Sequence, residues 1–468
     1  MRFYRGSLPK NCVFPCIVLH YSSWDDYGFK TTHDITYYDQ NMKEVELGHI
    51  KILDENSATT IIPNLFEKLD DNFYSLGQSV EFYEKLLDLE KATYEKILTN
   101  LNDVIYNEDL ASMILTIDGF ETSLLRNSEA RKAFQEAKYL FRDSSEIKPN
   151  NIFKFKFETK LSNADSAHEV EIDFNKDILP YRINAIIGKN GTGKTQLLAN
   201  LAEALSGMKN NRGNFKPETP IFSRVITISY SYFDNFSKPK STKYYSYRYC
   251  GLWSKKKLMN TYQMEKKLEN SIQQIKELDR IDDWRKILSN VIAPEILSFI
   301  ESKPYLEELS SGQNMILTTI TDVISNIKNE SLLLFDEPEL YLHPNAISNH
   351  VNMLSNLLEV YNSYAIISTH SPIILQEIPS KRVNVFERIG NQPVVRKLGI
   401  ECFGGDISSI TEDIFGTVNN DKRYEELFRR LIEVNKLTYS EILNLFSNKL
   451  SFSAKMYIKT LLAETKKD

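Results

Sequence analysis

Hydrophobic and polar positions alternate along the chain with two different periods, and the period changes several times. Near the N-terminus, "CIVLHY", "DITYYD" and "HIKIL" show the alternation typical of short strands. From "NLFEKLDDNFYSLGQSVEFYEKLL" to "EARKAFQEAKYLF" the spacing predicts helices, and "NIFKFKFETKL" and "HEVEIDF" return to strands. The pattern predicts an N-terminal β lobe over residues 1–61 and a helical insertion over residues 62–145.

The remainder of the chain predicts an α/β core in two pieces. The apolar strands "RINAII", "SLLLFD" and "YAIIST" alternate with the helical segments "TQLLANLAEAL" and "NMILTTITDVI". They fall within residues 150–235 and 309–400, which together predict a mixed sheet with flanking helices. Residues 236–308 are predicted to form a basic, helical subdomain, and residues 401–468 a C-terminal helical region.

A glycine-rich turn follows the first of these strands and leads into a helix. Its sequence "GKNGTGKT" fits the pattern G-x-x-x-x-G-K-[ST], in which backbone N–H groups surround a polyphosphate. Lys194 is expected to reach the β and γ phosphates, and Thr195 to place its hydroxyl on Mg²⁺. A chance match is the alternative, and the flanking strand and helix disfavour it. The predicted nucleotide contacts are Gly188, Asn190, Gly191, Gly193, Lys194 and Thr195.

Two adjacent carboxylates end the second apolar strand. Asp336 is placed to hold Mg²⁺, and Glu337 is the candidate general base for the water that attacks the γ phosphate. His370 follows the third strand and is predicted to sense or stabilise the γ phosphate. The alternatives are an acidic strand end that only meets solvent and a histidine with a structural role. The order of the motifs favours catalysis.

A second candidate anion site is the turn "LSSGQ", which precedes an apolar helix. It places Ser310, Ser311, Gly312 and Gln313 at a helix N-terminus, where N–H groups and the helix dipole favour negative charge. One nucleotide does not need two such sites. The simplest explanation is that two copies of the chain dock head to tail, each giving its glycine-rich loop to one face of ATP and its "LSSGQ" turn to the other.

The order of phosphate loop, "LSSGQ", "FDEP" and histidine resembles that of ABC-class ATPases, over the region from Tyr181 to Pro372. The resemblance implies an ABC-type P-loop ATPase core that binds ATP and Mg²⁺ and hydrolyses ATP in a homodimer or a higher even oligomer. Within the class, "DEPELYLHP" resembles the RecF, SMC and overcoming-lysogenisation-defect branch, which acts on DNA ends or invading genomes. About 115 residues separate Lys194 from Ser310, too few for the long coiled coils of SMC proteins and enough for one short helical hairpin.

No intrinsic nuclease is expected. The nucleases of the overcoming-lysogenisation-defect type add a domain after the ATPase that needs a glutamate and an Asp-x-Asp pair for metal. Asp-x-Asp occurs nowhere in the chain, and fewer than 100 residues follow His370.

The segments "FEKLDDNFYSLGQSVEFYEKLL" and "GFETSLLRNSEARKAF" resemble PtuA, the ATPase of Septu-type anti-phage systems, including those encoded with retrons. The resemblance implies a separate HNH nuclease as partner. A simple pair of packing helices is the alternative. One departure is that "VITISYSYFDNFS" lacks the glutamine that couples Mg²⁺ to the helical subdomain in ABC ATPases, which leaves Ser229 and Asp234 as candidate substitutes.

The composition of the chain predicts its cellular compartment. The 468 residues include four cysteines, too few for a disulfide framework, and neither a secretory signal nor a long apolar run is evident, so the expected location is the cytoplasm, with no membrane partner. Cys12, Cys16 and His20 have a spacing that could suggest a metal site, but their apolar setting favours buried structural cysteines.

Charge bears on nucleic acid binding. With 57 basic and 63 acidic residues the net charge is −6, which argues against broad phosphate contact. Residues 236–267, however, hold nine lysines or arginines among tyrosines and a tryptophan, which is typical of a nucleic acid surface or of a lid over the nucleotide. Two functions remain: the regulatory ATPase of a defence complex that controls a separate HNH-type nuclease, or a stand-alone DNA repair or recombination ATPase of the SMC and RecF type.

Overall fold

The computed structural model describes residues 1–141, 153–206, 212–231, 236–238, 246–254, 257–302, 309–416 and 423–464. Within these ranges the strands are β1 (Arg2–Arg5), β2 (Cys16–Tyr21), β3 (Thr32–Tyr38), β4 (Glu44–Asp54), β5 (Leu65–Phe66), β6 (Phe73–Gly77), β7 (Lys154–Thr159), β8 (His168–Asp173), β9 (Ile183–Gly188), β10 (Asn214–Lys216), β11 (Val225–Ser229), β12 (Tyr247–Tyr249), β13 (Trp253–Ser254), β14 (Lys257–Leu258), β15 (Leu332–Asp336), β16 (Tyr364–Thr369), β17 (Val383–Ile389) and β18 (Gln392–Arg396).

The α-helices of the described residues are α1 (Val80–Leu87), α2 (Lys91–Asn100), α3 (Glu108–Ile114), α4 (Ser128–Glu136), α5 (Lys194–Leu205), α6 (Thr261–Glu277), α7 (Ile281–Leu288), α8 (Pro294–Ser302), α9 (Ser311–Asn326), α10 (Pro344–Val360), α11 (Pro372–Leu375), α12 (Ile407–Phe415), α13 (Arg423–Glu433), α14 (Tyr439–Leu445) and α15 (Phe452–Glu464). A π-helical turn spans Phe120–Leu124, and 3₁₀ turns span Ala137–Leu140 and Ser380–Arg382. The chain divides into two units, Met1–Ile414 and Phe415–Asp468.

The N-terminal lobe is built on a sheet with the strand order β5-β1-β2-β3-β4-β6. The helical prediction for "NLFEKLDDNFYSLGQ" is wrong, because this segment supplies β5 and the edge strand β6, which pairs antiparallel with β4. All five residues of β6 are buried, as expected of an aromatic-rich strand covered on both faces. The helix begins only at Val80, where the Ser79 hydroxyl caps it by accepting a hydrogen bond from the Phe82 N–H.

The helical insertion shares one hydrophobic core with this sheet. Leu53 and Leu76 of the strands pack in the same cluster as Phe82 of α1, Leu98 of α2 and Ala133 of α4. A buried ion group adds to the contact: the Asp26 carboxylate lies 2.7 Å from the Lys51 ammonium and 2.7 Å from the Arg126 guanidinium. The insertion is therefore packed on the lobe as part of one body.

The core sheet of the first unit has the order β12-β11-β15-β16-β9-β17-β18. All neighbouring strands are parallel except the edge pair β17 and β18. A second sheet, β10-β7-β8, is antiparallel, and its strands β7 and β8 were both predicted. The helix α5 packs its leucines with both sheets. This arrangement confirms the predicted α/β class with mixed sheets and flanking helices.

The order of the core strands decides where the motifs meet. Strand β16 lies between β9, which leads into the glycine-rich loop, and β15, which ends at Asp336. Parallel strands bring their carboxyl ends to one edge of a sheet, and ligands bind there in open α/β sheets. The loop, the paired carboxylates and His370 therefore follow three adjacent strands at the same edge.

The segment between the two core pieces contributes three helices, α6 to α8, where the sequence predicted one short hairpin at most. The longest, α6, is fixed to α9 by an ion pair of 2.6 Å between Lys267 and Asp322. In the second unit, α13 to α15 enclose a small apolar cluster that includes Phe428, Ile442 and Ile458. Among the described residues, no helix combines the length and the apolar character needed to cross a membrane.

Candidate functional site

The glycine-rich loop connects β9 to α5 and depends on its glycines for geometric reasons. Gly191 and Gly193 have φ values of 80° and 96°, in the left-handed region that side chains disfavour. A Cβ on Gly188 would lie 2.1 Å from the Phe386 carbonyl oxygen. Gly193 is the N-cap of α5 and provides no side-chain cap, so the first turn of this helix is suited to an external anion.

Lys194 lies in the loop with its ammonium directed at backbone oxygens. Its Nζ donates to the carbonyls of Gly188 at 2.9 Å and Lys189 at 3.2 Å, and lies 3.4 Å from His370 Nδ1. The side chain is almost fully buried, and this burial lowers the pKa of Lys194 to about 8, although three nearby carboxylates oppose the shift. Phosphate oxygens in the loop would offer the ammonium stronger, charged acceptors than these carbonyls.

Asp336 is held by two hydroxyl groups at the end of β15. Thr195 Oγ1 donates toward both carboxylate oxygens, at 3.0 and 2.9 Å, and the Ser368 hydroxyl donates to Oδ1. Burial raises the pKa of Asp336 to about 6, while these hydrogen bonds act in the opposite direction. A hydroxyl and a carboxylate in contact are hard oxygen donors, and Mg²⁺ commonly uses only one or two protein carboxylates together with substrate phosphates. The residues present therefore fit Mg²⁺.

Glu337 and His370 are hydrogen bonded to each other beside the lysine. Glu337 Oε1 lies 3.0 Å from His370 Nε2, and this hydrogen bond is the main cause that lowers the pKa of Glu337. Glu337 has φ of 50°, which is uncommon for a non-glycine residue, and its N–H donates to the Ser368 carbonyl at 2.9 Å. The imidazole thus lies between the candidate base and Lys194, and it connects the two.

Two residues at this edge were missed by the sequence analysis. Glu339 Oε1 accepts hydrogen bonds of 2.7 Å from the Thr369 hydroxyl and from the His370 backbone N–H. Ser368 binds Asp336. The two residues are paired in register on β16 and β15, and Asp336 is paired in turn with Ser229 on β11. Glu339 lies in the segment "DEPELYLHP" and Ser368 in "YAIIST", so the signal was present but only neighbouring residues were selected.

The "LSSGQ" turn begins α9, as predicted, but its polar groups are occupied with one another. Ser310 caps the helix by accepting from the Gln313 N–H at 3.3 Å, and Gln313 Oε1 accepts from the Ser310 N–H at 3.1 Å. Gly312 is packed against the loop that follows Glu337, since a Cβ there would lie 2.8 Å from the Tyr341 carbonyl oxygen. The turn is thus in contact with the loop after the carboxylates, and the head-to-tail dimer stays a prediction.

The remaining candidates divide between described and undescribed residues. Ser229 is paired in register with Asp336, and its hydroxyl accepts from the Ser231 N–H at 3.1 Å. Asp234 lies outside the described residues. Among the described residues no cluster of three or more histidine, cysteine or acidic side chains could hold a metal ion. Cys16 is fully buried in β2, whereas Cys12 is only partly buried.

The basic stretch 236–267 is described only in part, and Lys240, Lys243, Lys255 and Lys256 lie outside the described residues. Lys267 forms the ion pair with Asp322 that joins α6 to α9. The Lys238 ammonium lies over two aromatic rings, 4.7 Å from the centroid of Tyr249 and 5.5 Å from that of Trp253. These contacts are internal, and nucleic acid binding by the stretch stays a prediction.

One known protein family matches the part of the chain that follows the glycine-rich loop. Residues 206–376 match the family described as "AAA domain, putative AbiEii toxin, Type IV TA system". The matched range contains the "LSSGQ" turn, the paired carboxylates and His370. Together with the geometry of the site, this match supports an ATPase of the AAA or ABC type.

The sequences similar to the chain include two named proteins. Protein ea59 of Escherichia phage lambda is 26% identical over an alignment 513 positions long, which covers 98% of this chain and 96% of ea59. The lipoprotein-releasing system ATP-binding protein LolD of Buchnera aphidicola is 26% identical over 198 residues, which cover 42% of this chain and 78% of LolD. The second of these is an ATP-binding protein by name.

The solved structures that match the chain include ATP-binding cassettes of ABC transporters. The ADP conformation of MJ1267 is 15% identical and covers 56% of this chain and 95% of its own, with a TM-score of 0.35. A nucleotide-free cassette is 15% identical and covers 58% of this chain and 98% of its own, with a TM-score of 0.33. At these scores the α/β assignment rests on the strand order of the chain itself.

Proposed function

We propose that the chain binds ATP with Mg²⁺ and hydrolyses it to ADP and phosphate. The observation that carries the proposal is the meeting of Lys194, Thr195, Asp336, Glu337 and His370 at the carboxyl edge of three adjacent parallel strands. A positive side chain, a pair of oxygen ligands and an ionised carboxylate are the three elements that phosphoryl transfer to water needs.

Each residue has a role that follows from its contacts. Lys194 would exchange the carbonyls of Gly188 and Lys189 for phosphate oxygens, which pulls the ammonium away from His370 Nδ1. Thr195 and Asp336 would hold Mg²⁺, which neutralises charge on the phosphates when it is bound. Glu337 would accept the proton of the attacking water, and His370, hydrogen bonded to Glu337 Oε1, would orient this carboxylate.

The hydrolytic site is proposed to be shared between two copies of the chain. The loop side contains a lysine, a metal-binding pair and a base, but the described contacts place no second cation beside them. The exposed start of α9, with Ser310 and Ser311, would supply the partner's face of the nucleotide in a head-to-tail dimer. Association would then be required for hydrolysis, although one chain suffices for binding.

The biological role we propose is that of a regulatory ATPase in an anti-phage complex with a separate HNH-type nuclease, as in PtuA of Septu and retron-associated systems. The resemblance to PtuA lies in β6, α1, the π-helical turn and α4. In the structure, α4 is joined to the ATPase core by two hydrogen bonds from Arg224 to Glu129, at 3.2 and 3.0 Å, and by the pair of Lys132 with Glu330. Glu330 lies two residues before β15, so the insertion contacts the segment that leads into the strand carrying Asp336.

The hydrolytic mechanism is tested with Glu337→Gln. The amide keeps the shape of the side chain but cannot accept a proton, so ATP should still bind while hydrolysis falls by about a hundredfold or more. Binding is measured by calorimetry, turnover by phosphate release and assembly by light scattering in ATP. Near-normal turnover in this variant would remove Glu337 from the role of base.

The shared site is tested by mixing two inactive chains, Lys194→Ala and Ser311→Arg. In a heterodimer both lesions fall in one site and the other site is intact, so each heterodimer should recover up to about half of the normal hydrolysis if the sites act independently. A Ser311→Arg chain that hydrolyses ATP normally as a monomer would refute the head-to-tail arrangement.

The defence role is tested by co-expression with a neighbouring reading frame that carries an HNH signature. A complex that co-purifies, and whose DNA cleavage changes between the wild-type and Glu337→Gln chains, is the expected result. A chain that purifies without the nuclease and whose ATPase is strongly stimulated by DNA alone would favour the repair or recombination function instead.

A further inference from the structure

A cavity of about 330 Å³ lies where the N-terminal lobe, the helical insertion and the ATPase core meet. Its walls come from the start of β3, β4, α1, the start of α4, β12, and the loops that precede β11 and β15. The volume is at the lower end of the range usual for small-molecule sites. None of the proposed ATP-binding residues lines it, so the cavity is separate from the glycine-rich loop.

The wall of this junction cavity is strongly charged, with an excess of positive groups. Five lysine or arginine side chains face three glutamates; they are Lys51, Lys85, Arg224, Arg248 and Lys328 on one side and Glu46, Glu81 and Glu129 on the other. Several are paired: Lys328 lies 2.9 Å from Glu81 and 3.5 Å from Glu129. Lys51 is also paired with Asp26 at 2.7 Å, so the five positive groups face four carboxylates, and one positive charge is left over around a space that is large enough for a ligand.

Two helices also begin at the junction cavity. Ser79, the N-cap of α1, and Asn127, the N-cap of α4, both line it. The helices have 8 and 9 residues, and the N-terminus of each carries a partial positive charge. Helix N-termini that converge with lysine and arginine side chains favour an anion, and a phosphate gains more than a carboxylate because it carries more charge and more acceptor oxygens.

Two buried polar side chains on the wall have atoms without a hydrogen-bond partner among the described residues. Gln78 is 8% exposed; its Nε2 donates to the carbonyls of Leu76 and Leu124, while its Oε1 has no donor. Thr32 is fully buried, and its Oγ1 has no partner. Unpaired buried polar atoms are costly, and sites that bind polar ligands are where proteins retain them. An amide oxygen that accepts and a hydroxyl that donates suit a ligand with hydroxyl groups.

We propose that the junction cavity is a second ligand site, which binds a small phosphorylated molecule with hydroxyl groups, of the size of a mononucleotide or smaller. The phosphate lies among the lysine and arginine side chains and the two helix N-termini. The hydroxyl-bearing part meets Gln78 and Thr32.

The test uses the full chain with Lys194→Ala, which weakens binding at the glycine-rich loop, and two substitutions of Ser79. Asparagine and aspartate are both good N-caps, so Ser79→Asn and Ser79→Asp should fold equally well. Only aspartate adds a negative charge to the cavity wall. Calorimetric titration with AMP, inorganic phosphate, adenosine and a 5′-phosphorylated oligonucleotide then compares the two variants.

We expect AMP, or AMP and inorganic phosphate, to bind the Ser79→Asn chain, and the affinity to fall at least about tenfold in the Ser79→Asp chain, because like charges a few ångströms apart repel strongly in a partly buried site. Adenosine should bind weakly or not at all. Equal affinity in the two variants, no binding of AMP and phosphate, equal binding of adenosine, or binding of the oligonucleotide alone would each overturn the proposal. Circular dichroism and a thermal melt of both variants exclude misfolding as the cause.

Discussion

The starts of helices α5 and α9 were both predicted to be anion sites, yet the structure builds them in opposite ways. At α5 the N-cap is Gly193, in a left-handed conformation, with no side chain to cap the helix. At α9 the N-cap is Ser310, which forms a reciprocal capping box with Gln313. The first helix leaves its N-terminus to a ligand, and the second satisfies part of its own.

This difference indicates that the two helix starts have different roles in binding a nucleotide. A phosphate at α5 would supply acceptors that no side-chain cap provides, so we expect binding there to be strong. At α9 the Gln313 N–H already has a partner within the chain, and an arriving phosphate finds the exposed Ser311 side chain and the remaining N–H groups of the first turn. The α9 side is thus suited to a contact that is made late, when a second chain docks, and not to holding ATP alone.

The largest expected effect comes from Ser311→Arg. The residue is exposed, so the fold should tolerate the change, but a bulky cation would then occupy the face presented to the partner. Hydrolysis should fall by about a hundredfold or more, the size of effect seen when one donor to a transition state is lost. ATP affinity of the single chain should stay within about twofold, as measured by calorimetry. A parallel loss of affinity would show that α9 binds ATP within its own chain.

Lys194→Ala should affect the α5 side in the complementary way. A charge-assisted contact with phosphate contributes about 1.5–3 kcal/mol, so ATP affinity should fall roughly 10- to 100-fold, and hydrolysis should fall with it. The exposed Lys176 provides a matched control, since Lys176→Ala removes the same charge away from the loop. Unchanged ATP affinity for Lys194→Ala, with Lys176→Ala equally unchanged, would contradict the assignment of the loop.

Gly312→Ala tests the contact between the α9 start and the loop after Glu337. The added methyl group would lie 2.8 Å from the Tyr341 carbonyl oxygen, so one of the two must move, at a cost of about 1–3 kcal/mol in the free energy of unfolding. Turnover should fall while ATP affinity is kept, because Lys194 is not involved. Urea unfolding and phosphate release measure the two effects, with Ser311→Ala as a control in the same turn. Unaltered stability and turnover would mean that the contact does not form.

The smallest effect is expected for Ser310→Ala. Loss of the N-cap should lower the free energy of unfolding by about 1 kcal/mol, with ATP affinity unchanged. Ser310→Asn keeps a capping side chain and should restore most of this stability. If alanine and asparagine give the same urea midpoint, the capping box does not form in solution, and the proposed difference between the two helix starts disappears.

The sequence predicted much of the candidate site because its elements are local. The spacing of the glycines, Lys194 and Thr195 defines a loop within eight residues, and the apolar run before Asp336 defines the strand that ends there. The sequence misled where a turn interrupts a segment with helix-like spacing, as in "FYSLGQSVEF", which is a strand, a turn and the start of α1. Here pairing with β4 outweighed the local spacing, since β6 pairs with residues that lie 19 to 27 positions earlier in the chain.

What the sequence by itself determined is the set of parts: a phosphate loop, a paired carboxylate, a histidine and a turn at a helix start, each written in a few adjacent residues. What only the tertiary structure decided is which parts touch. Thr195 meets Asp336 from 141 positions away, and Lys194 meets His370 from 176. The tertiary structure also decided the contacts of Glu339 with Thr369 and His370. It likewise decided the junction cavity between the lobe and the core. The physical reason is that hydrophobic periodicity fixes the type and the buried face of an element, whereas the order and register of parallel strands depend on long-range pairing, and only that pairing brings distant carboxyl ends to one edge.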